Sequence, residues 1–148
     1  MTCSLELSKQ LYGLGLRIET EKWWIPDIIN DEISWRVDKY HSSCVEYFRT
    51  SRYIKIPAPS TDELLAVMPY KINNQHYLVI GKAFKGFIVR YFNYEKLQMY
   101  KTNADTLSEA LGKMCLWLLE NGWRWDDTSK LLVKGGKRNG NLSGKIRN

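Results

Sequence analysis

Three cysteines and two histidines are the side chains in this 148-residue chain most suited to nucleophilic, acid–base or metal chemistry, and their spacing limits all three. His41-Ser42-Ser43-Cys44 sets an imidazole three residues from a thiol. Such a pair offers half of a zinc site, because Zn²⁺ takes Cys sulfur and His nitrogen, or else a thiol beside a base that would ionise it. Completing either site falls to Cys3, His76, Cys115 or a carboxylate, and no two of these stand at ligand spacing. Cys115 lies on the apolar side of a helical pattern, where a thiol acts as a small buried hydrophobe. Asp126-Asp127 would hold a cation or share a proton only if withdrawn from water, and adjacent carboxylates in a turn are ordinarily solvated. The reading from these residues is no catalytic residue, no metal and no cofactor.

Two glycine patterns fail on order and spacing. Gly13-Leu14-Gly15 follows a helix and precedes a strand, the reverse of the strand, turn and helix that a dinucleotide site needs. Gly140-Asn141-Leu142-Ser143-Gly144-Lys145-Ile146 has three residues between its glycines and Ile146 where a phosphate loop has its metal-binding hydroxyl.

Aromatic rings and cations remain. Six tryptophans and nine tyrosines could stack on bases or fill a partner's pocket. Trp24 should oppose a buried neighbour in an alternating strand, and Trp123-Arg124-Trp125 leaves the last helix with a cation between two rings, so these four are the candidate partner or ligand residues. The net charge of +6 lies wholly in residues 129–148, which hold Lys130, Lys134, Lys137, Arg138, Lys145 and Arg147 and no acid. Residues 1–128 carry all 16 acidic groups and an equal number of cations. A flexible strand with six cations would contact phosphates in a salt-sensitive, sequence-indifferent way, or would serve as a solubilising terminus.

The elements that would position these groups are readable from periodicity. Leu7 and Leu11 at helical spacing, stopped by Gly13 and Gly15, predict a helix near residues 4 to 13. Glu21 to Ile25 and Ile33 to Val37 alternate and flank Asn30-Asp31-Glu32, as an antiparallel hairpin does. Tyr53-Ile54-Lys55-Ile56-Pro57-Ala58-Pro59 predicts an extended edge or a linker, because proline cannot donate to a central strand; an exposed edge near Ile54 to Ile56 would support a homodimer. Ser60 and Glu63 form a capping-box pattern for a helix that Pro69 ends. Strands at Tyr77 to Phe84 and Phe87 to Asn93, joined by a two-residue Lys85-Gly86 turn, and a third near Leu97 to Thr102 make a meander. Thr106 and Glu109 open a last helix with Leu107, Leu111, Met114, Cys115, Leu118 and Leu119 on one side, and Gly122 closes it. The fold expected is α+β, in the order α-β-β-α-β-β-β-α: an antiparallel sheet of about five strands with about three helices packed on it. Residues 1–128 form the domain and residues 129–148 a Gly/Asn-rich basic tail.

Ile56-Pro57-Ala58-Pro59-Ser60-Thr61-Asp62-Glu63-Leu64-Leu65, the meander, Ala104 to Leu111 and Leu118-Leu119-Glu120-Asn121-Gly122 together resemble small phage and prophage proteins of unknown function. Leu14-Gly15-Leu16 and the Trp23-Trp24 strand add to the likeness, which covers roughly residues 5 to 122 and excludes the tail. It implies a fold and a mobile-element origin and carries no catalytic residue across.

The first residues lack a basic segment followed by an apolar stretch, and the longest apolar run, Met114 to Leu119, is too short for a membrane. With three widely spaced cysteines, this gives the cytoplasm of a bacterial host as the expected location, and no membrane partner. Two functions follow as expectations. One is a non-enzymatic phage accessory protein that binds a host or phage protein, or sequesters a small ligand, through its aromatic body, in host takeover or counter-defence. The other is a nucleic-acid-associated protein that uses the basic tail.

Overall fold

Ser4 starts the first helix, α1 (Leu5–Gly13), by accepting a hydrogen bond from the Leu7 N–H at 3.3 Å. Leu7 and Leu11 then face the core. The computed structural model describes residues 1–39, 55–93, 95 and 97–135. The His41/Cys44 pair, Ile54 and the tail cations Lys137, Arg138, Lys145 and Arg147 lie outside the described residues.

β1 (Lys22–Ile29) and β2 (Glu32–Lys39) form the expected hairpin, longer than the alternation alone marked. Asn30 and Asp31 both adopt left-handed φ, 54° and 66°, which gives the primed turn whose twist matches the flanking strands. β3 (Ile56–Pro57) pairs with the other side of β1, so proline does sit on an edge. The described part of this edge is short and partly covered. It is two residues long, Ile56 is buried, and just beyond it the Cys3 N–H donates to the Pro59 carbonyl at 2.9 Å.

α2 (Thr61–Val67) has its full capping box: the Glu63 N–H donates to Ser60 Oγ, and Glu63 Oε1 accepts the Ser60 N–H at 2.9 Å. The other oxygen of Glu63 accepts the Glu21 N–H at 2.8 Å, which ties α2 to the start of β1.

β4 (Lys71–Ile72), β5 (His76–Lys82), β6 (Phe87–Asn93) and β7 (Leu97–Ala104) form an antiparallel sheet in that order. The expected two-residue turn at Lys85-Gly86 is instead a four-residue loop, because β5 ends at Lys82 and the Ala83 N–H donates to the Gly86 carbonyl at 3.0 Å. Gly86 is required there for two reasons. Its φ is 96°, and a Cβ on it would collide with the backbone carbonyl of Ala104.

α3 (Leu107–Glu120) buries Ala110, Leu111, Met114, Cys115 and Leu118 against β6 and β7, and α1 and α2 pack on it in turn. Thr106 caps α3 as the sequence predicts, accepting the Glu109 N–H at 3.2 Å. The other half of that expected box is absent. Glu109 turns its carboxylate to the first helix, accepting the Ser4 N–H at 2.9 Å and the Ser4 hydroxyl at 2.8 Å.

The segment after Gly122 is not irregular. β8 (Trp123–Asp126) and β9 (Leu131–Lys134) form a hairpin, with Leu132 only 4% exposed in the core and Lys130 left-handed in its turn. The folded body therefore runs past residue 128, and Lys130 and Lys134 belong to it. The protein is α+β, with its described strands divided among sheets of three, four and two. The single sheet of about five strands is not what forms, because the N-terminal hairpin pairs with β3 and not with the meander.

Glu109→Ala should lower stability by about 1 to 2 kcal/mol, the scale of hydrogen bonds to a partly exposed charged group, read as a lower urea midpoint. Glu109→Gln, which keeps one acceptor oxygen for Ser4, should lose less.

Candidate functional site

Period-two alternation in β6 sends Val89, Tyr91 and Asn93 into the core and leaves Ile88, Arg90 and Phe92 on the opposite side of the sheet. Strand register extends that side. Tyr77, Val79 and Gly81 of β5 stand opposite Phe92, Arg90 and Ile88, while Lys101 of β7 stands opposite Arg90 and Lys71 of β4 opposite Tyr77. The three helices of the described residues lie on the other side, since α3 covers β6 and β7 and carries α1 and α2. The outer face thus presents rings and cations side by side. The Arg90 guanidinium lies 4.9 Å from the Phe92 ring centroid and the Lys71 ammonium 5.5 Å from that of Tyr77, which is 45% exposed.

No strand of this sheet contains an acidic residue. From Tyr70 to Ala104 the sequence holds six Lys or Arg against Glu95 as the one acid. Within residues 1–128, acids must then outnumber cations everywhere outside that stretch taken together. A body that sums to zero is polarised, with a positive meander and a negative remainder.

At the β4 edge the face continues into an open depression of about 420 Å³, lined by Tyr70, Lys71, Asn73, Asn74, Trp123 and Lys134. Asn73 and Asn74, with φ of 52° and 59°, make a second primed turn, closed by the Gln75 N–H on the Ile72 carbonyl at 3.2 Å. Pairing of Trp123 with Lys134 across the C-terminal hairpin sets that ammonium 5.8 Å from the indole. Two residues picked from sequence for separate reasons are thereby brought together, next to Lys71.

The other picks are arranged differently from expectation. Trp24 is half-buried and its indole N–H donates to the Cys3 carbonyl at 3.1 Å, so it fastens the N-terminal segment to β1. Arg124 does not sit between two rings, because alternation in β8 turns it away from Trp123 and Trp125 toward Asp126, 3.8 Å away. Trp125 packs on the core and donates to Asp127 at 2.9 Å, beside Lys130 in a smaller depression of about 190 Å³.

Of the described acid–base candidates, Asp126 and Cys3 are likewise engaged by neighbours. Asp126 accepts the Ser129 hydroxyl at 2.6 Å and the Ser129 N–H at 2.9 Å, and these bonds hold its carboxyl below the usual range. Cys3 is fully buried and donates to the Ser108 carbonyl at 3.3 Å; burial, with Glu109 and Cys115 nearby, raises its thiol far above the ordinary value. Burial alone pushes the Cys115 thiol up to about 12. Among the described residues no three of His, Cys, Asp and Glu are grouped to hold a metal. Among those residues, too, no helix is long and apolar enough to cross a membrane.

Lys71, Tyr77, Arg90 and Lys101 escaped the sequence reading. Lys71, Tyr77 and Arg90 fall in an acid-free stretch from Tyr70 to Tyr94, with Lys101 beyond Glu95, but summing charge over the whole of positions 1–128 cancelled that signal. Comparison with protein-family models, with curated proteins and with solved structures gives no match to this chain.

In a Cys44→Ser variant, which leaves Cys3 and Cys115, a thiol reagent at pH 8 should label nothing until denaturant unfolds the chain, and both thiols thereafter. A nucleophilic or redox thiol would react at once in the folded protein.

Proposed function

We propose that this chain is a non-catalytic binding protein whose anionic partner docks on the outer face of the β4–β7 sheet. The observation that carries the reading is the composition of that face: Lys71, Arg90 and Lys101 interleaved with Tyr77 and Phe92, and no carboxylate in any of the four strands. A face with cations and no acids repels basic partners, and it concentrates anions by long-range attraction before contact. The half-buried Val79, Ile88 and Phe92 between the cations give a partner apolar area to cover as well.

Together with the resemblance to small phage and prophage proteins, this reading makes the chain an accessory protein of a mobile element that engages a host or phage macromolecule. Host takeover or counter-defence is the corresponding setting. Lys134, the last residue of β9, adds its charge to the depression that Lys71 also lines.

Chromatography on heparin, a generic polyanion, tests this. Replacing Lys71, Arg90 and Lys101 together by Ser in the full chain should move elution to distinctly lower salt. Removing the same number of cations elsewhere, at Lys9, Lys22 and Arg124, should move it less. The reading fails if the two triple variants elute together and only serine at Lys137, Arg138, Lys145 and Arg147 lowers retention.

A further inference from the structure

Resting on the anionic-partner reading above, we propose that the outer face binds single-stranded nucleic acid, with a base stacked on Tyr77 and phosphates held by Lys71, Arg90 and Lys101.

The arrangement of the face selects this occupant. Register lines Lys71, Tyr77 and Phe92 in one row across β4, β5 and β6, and Val79, Arg90 and Lys101 in the next row across β5, β6 and β7. Neighbouring strands are about 4.8 Å apart, and alternate residues along a strand about 6.6 Å. Each ring therefore has a cation within one strand spacing or one two-residue step. A single strand repeats one flat base and one phosphate per nucleotide, so alternating rings and cations matches it unit by unit. A duplex buries its base faces and would meet the cations alone. An acidic peptide would also find the cations, yet it offers a ring only where an aromatic residue falls, not one for every charge. A four-stranded antiparallel sheet bearing aromatics is a platform of this kind, because the backbone fixes where each ring is rooted and little side-chain entropy is lost on stacking.

Two features extend the platform at its borders. Phe84, in the loop between β5 and β6, is 97% exposed next to Lys85. At the opposite edge Tyr70, 75% exposed, and Trp123 continue the ring and cation pattern with Lys71 and Lys134. Neither border contributes an acid to the depression or to the loop of residues 83–86.

The test is fluorescence anisotropy of short, labelled, mixed-sequence single strands of RNA and DNA, with a duplex of the same length, titrated with the full chain over a range of KCl. Single strands should bind more tightly than duplex. Tyr77→Ala should weaken single-strand binding about 5- to 150-fold, the worth of one stacked base, while leaving the salt slope unchanged. Tyr77→Phe keeps the ring and should bind nearly as wild type, which also guards against misreading a folding defect. Arg90→Ser with Lys101→Ser should flatten the slope of log K against log salt by about 1.4, two phosphate contacts on a single strand.

Equal affinity for duplex and single strand, with Tyr77→Ala neutral, would overturn the proposal, and so would binding lost only with the tail cations. If heparin retention depends on the outer face while neither strand binds at low salt, or while phosphatidylserine vesicles bind instead, this inference falls and the anionic-partner reading stands. If heparin retention is indifferent to the face, both fall.

Discussion

The seating of α3 against α1 and the meander is the contact on which the rest of the structure depends. Gly112, in the middle of α3, makes it possible: a Cβ there would come within 2.6 Å of both Cys3 Sγ and Leu7 Cδ2. A glycine inside a helix costs about 1 kcal/mol relative to alanine. Close approach offsets this, because it lets Leu7, Leu11, Leu111, Met114 and Leu118 share one core. On the far side the Thr102 hydroxyl donates to the Ala110 carbonyl at 2.8 Å, joining β7 to the helix without leaving a buried hydroxyl unpaired. The consequence for function is geometric. With α3 sealing one side of β6 and β7, alternation leaves the cations and rings of the other side facing outward as a set.

Polar groups at the rim keep the layers in register. Glu63 and Glu109 each commit their carboxylate to a neighbouring element, to β1 in one case and to the cap of α1 in the other. The Tyr91 hydroxyl, at the end of a ring with no exposed surface, donates to the Pro69 carbonyl at 2.6 Å and so anchors β6 to the segment after α2. Burial holds that phenol protonated well beyond its ordinary range, so the bond persists across any working pH. Such bonds turn separate helices and sheets into a stiff frame, and a stiff frame is what a stacking surface needs.

Charge follows the same division. The acids gather outside the meander, many of them in local structural work such as the Arg36 pairs with Asp27 and Asp38, both 2.8 Å, on the exposed N-terminal hairpin. Exposed pairs of this sort contribute little stability. Their effect on the field is larger, since acids neutralised by near neighbours leave the cations of β4 to β7 as the dominant positive region of the described fold.

Local signals determined a good part of this protein. Ser60 and Thr106 announced two helix starts, Asn30-Asp31 a hairpin, Pro57 an extended edge and Gly122 a helix end, because capping, primed turns and missing donors act within a few residues. Wherever the deciding partner lay far along the chain, only the tertiary structure decided. Glu109 fits a capping box by spacing, yet Ser4, 105 residues away, takes its carboxylate. Lys85-Gly86 reads as a tight turn, but the close approach of Ala104 requires that glycine within a longer loop. Leu131 to Lys134 is too short to mark a strand by itself and becomes one by pairing with Trp123 to Asp126 and burying Leu132. The outer face is the clearest case. Its cations and rings are scattered along the sequence from Lys71 to Lys101, and strand register, set by loop lengths and by which side packs on α3, brings them to one side of one sheet.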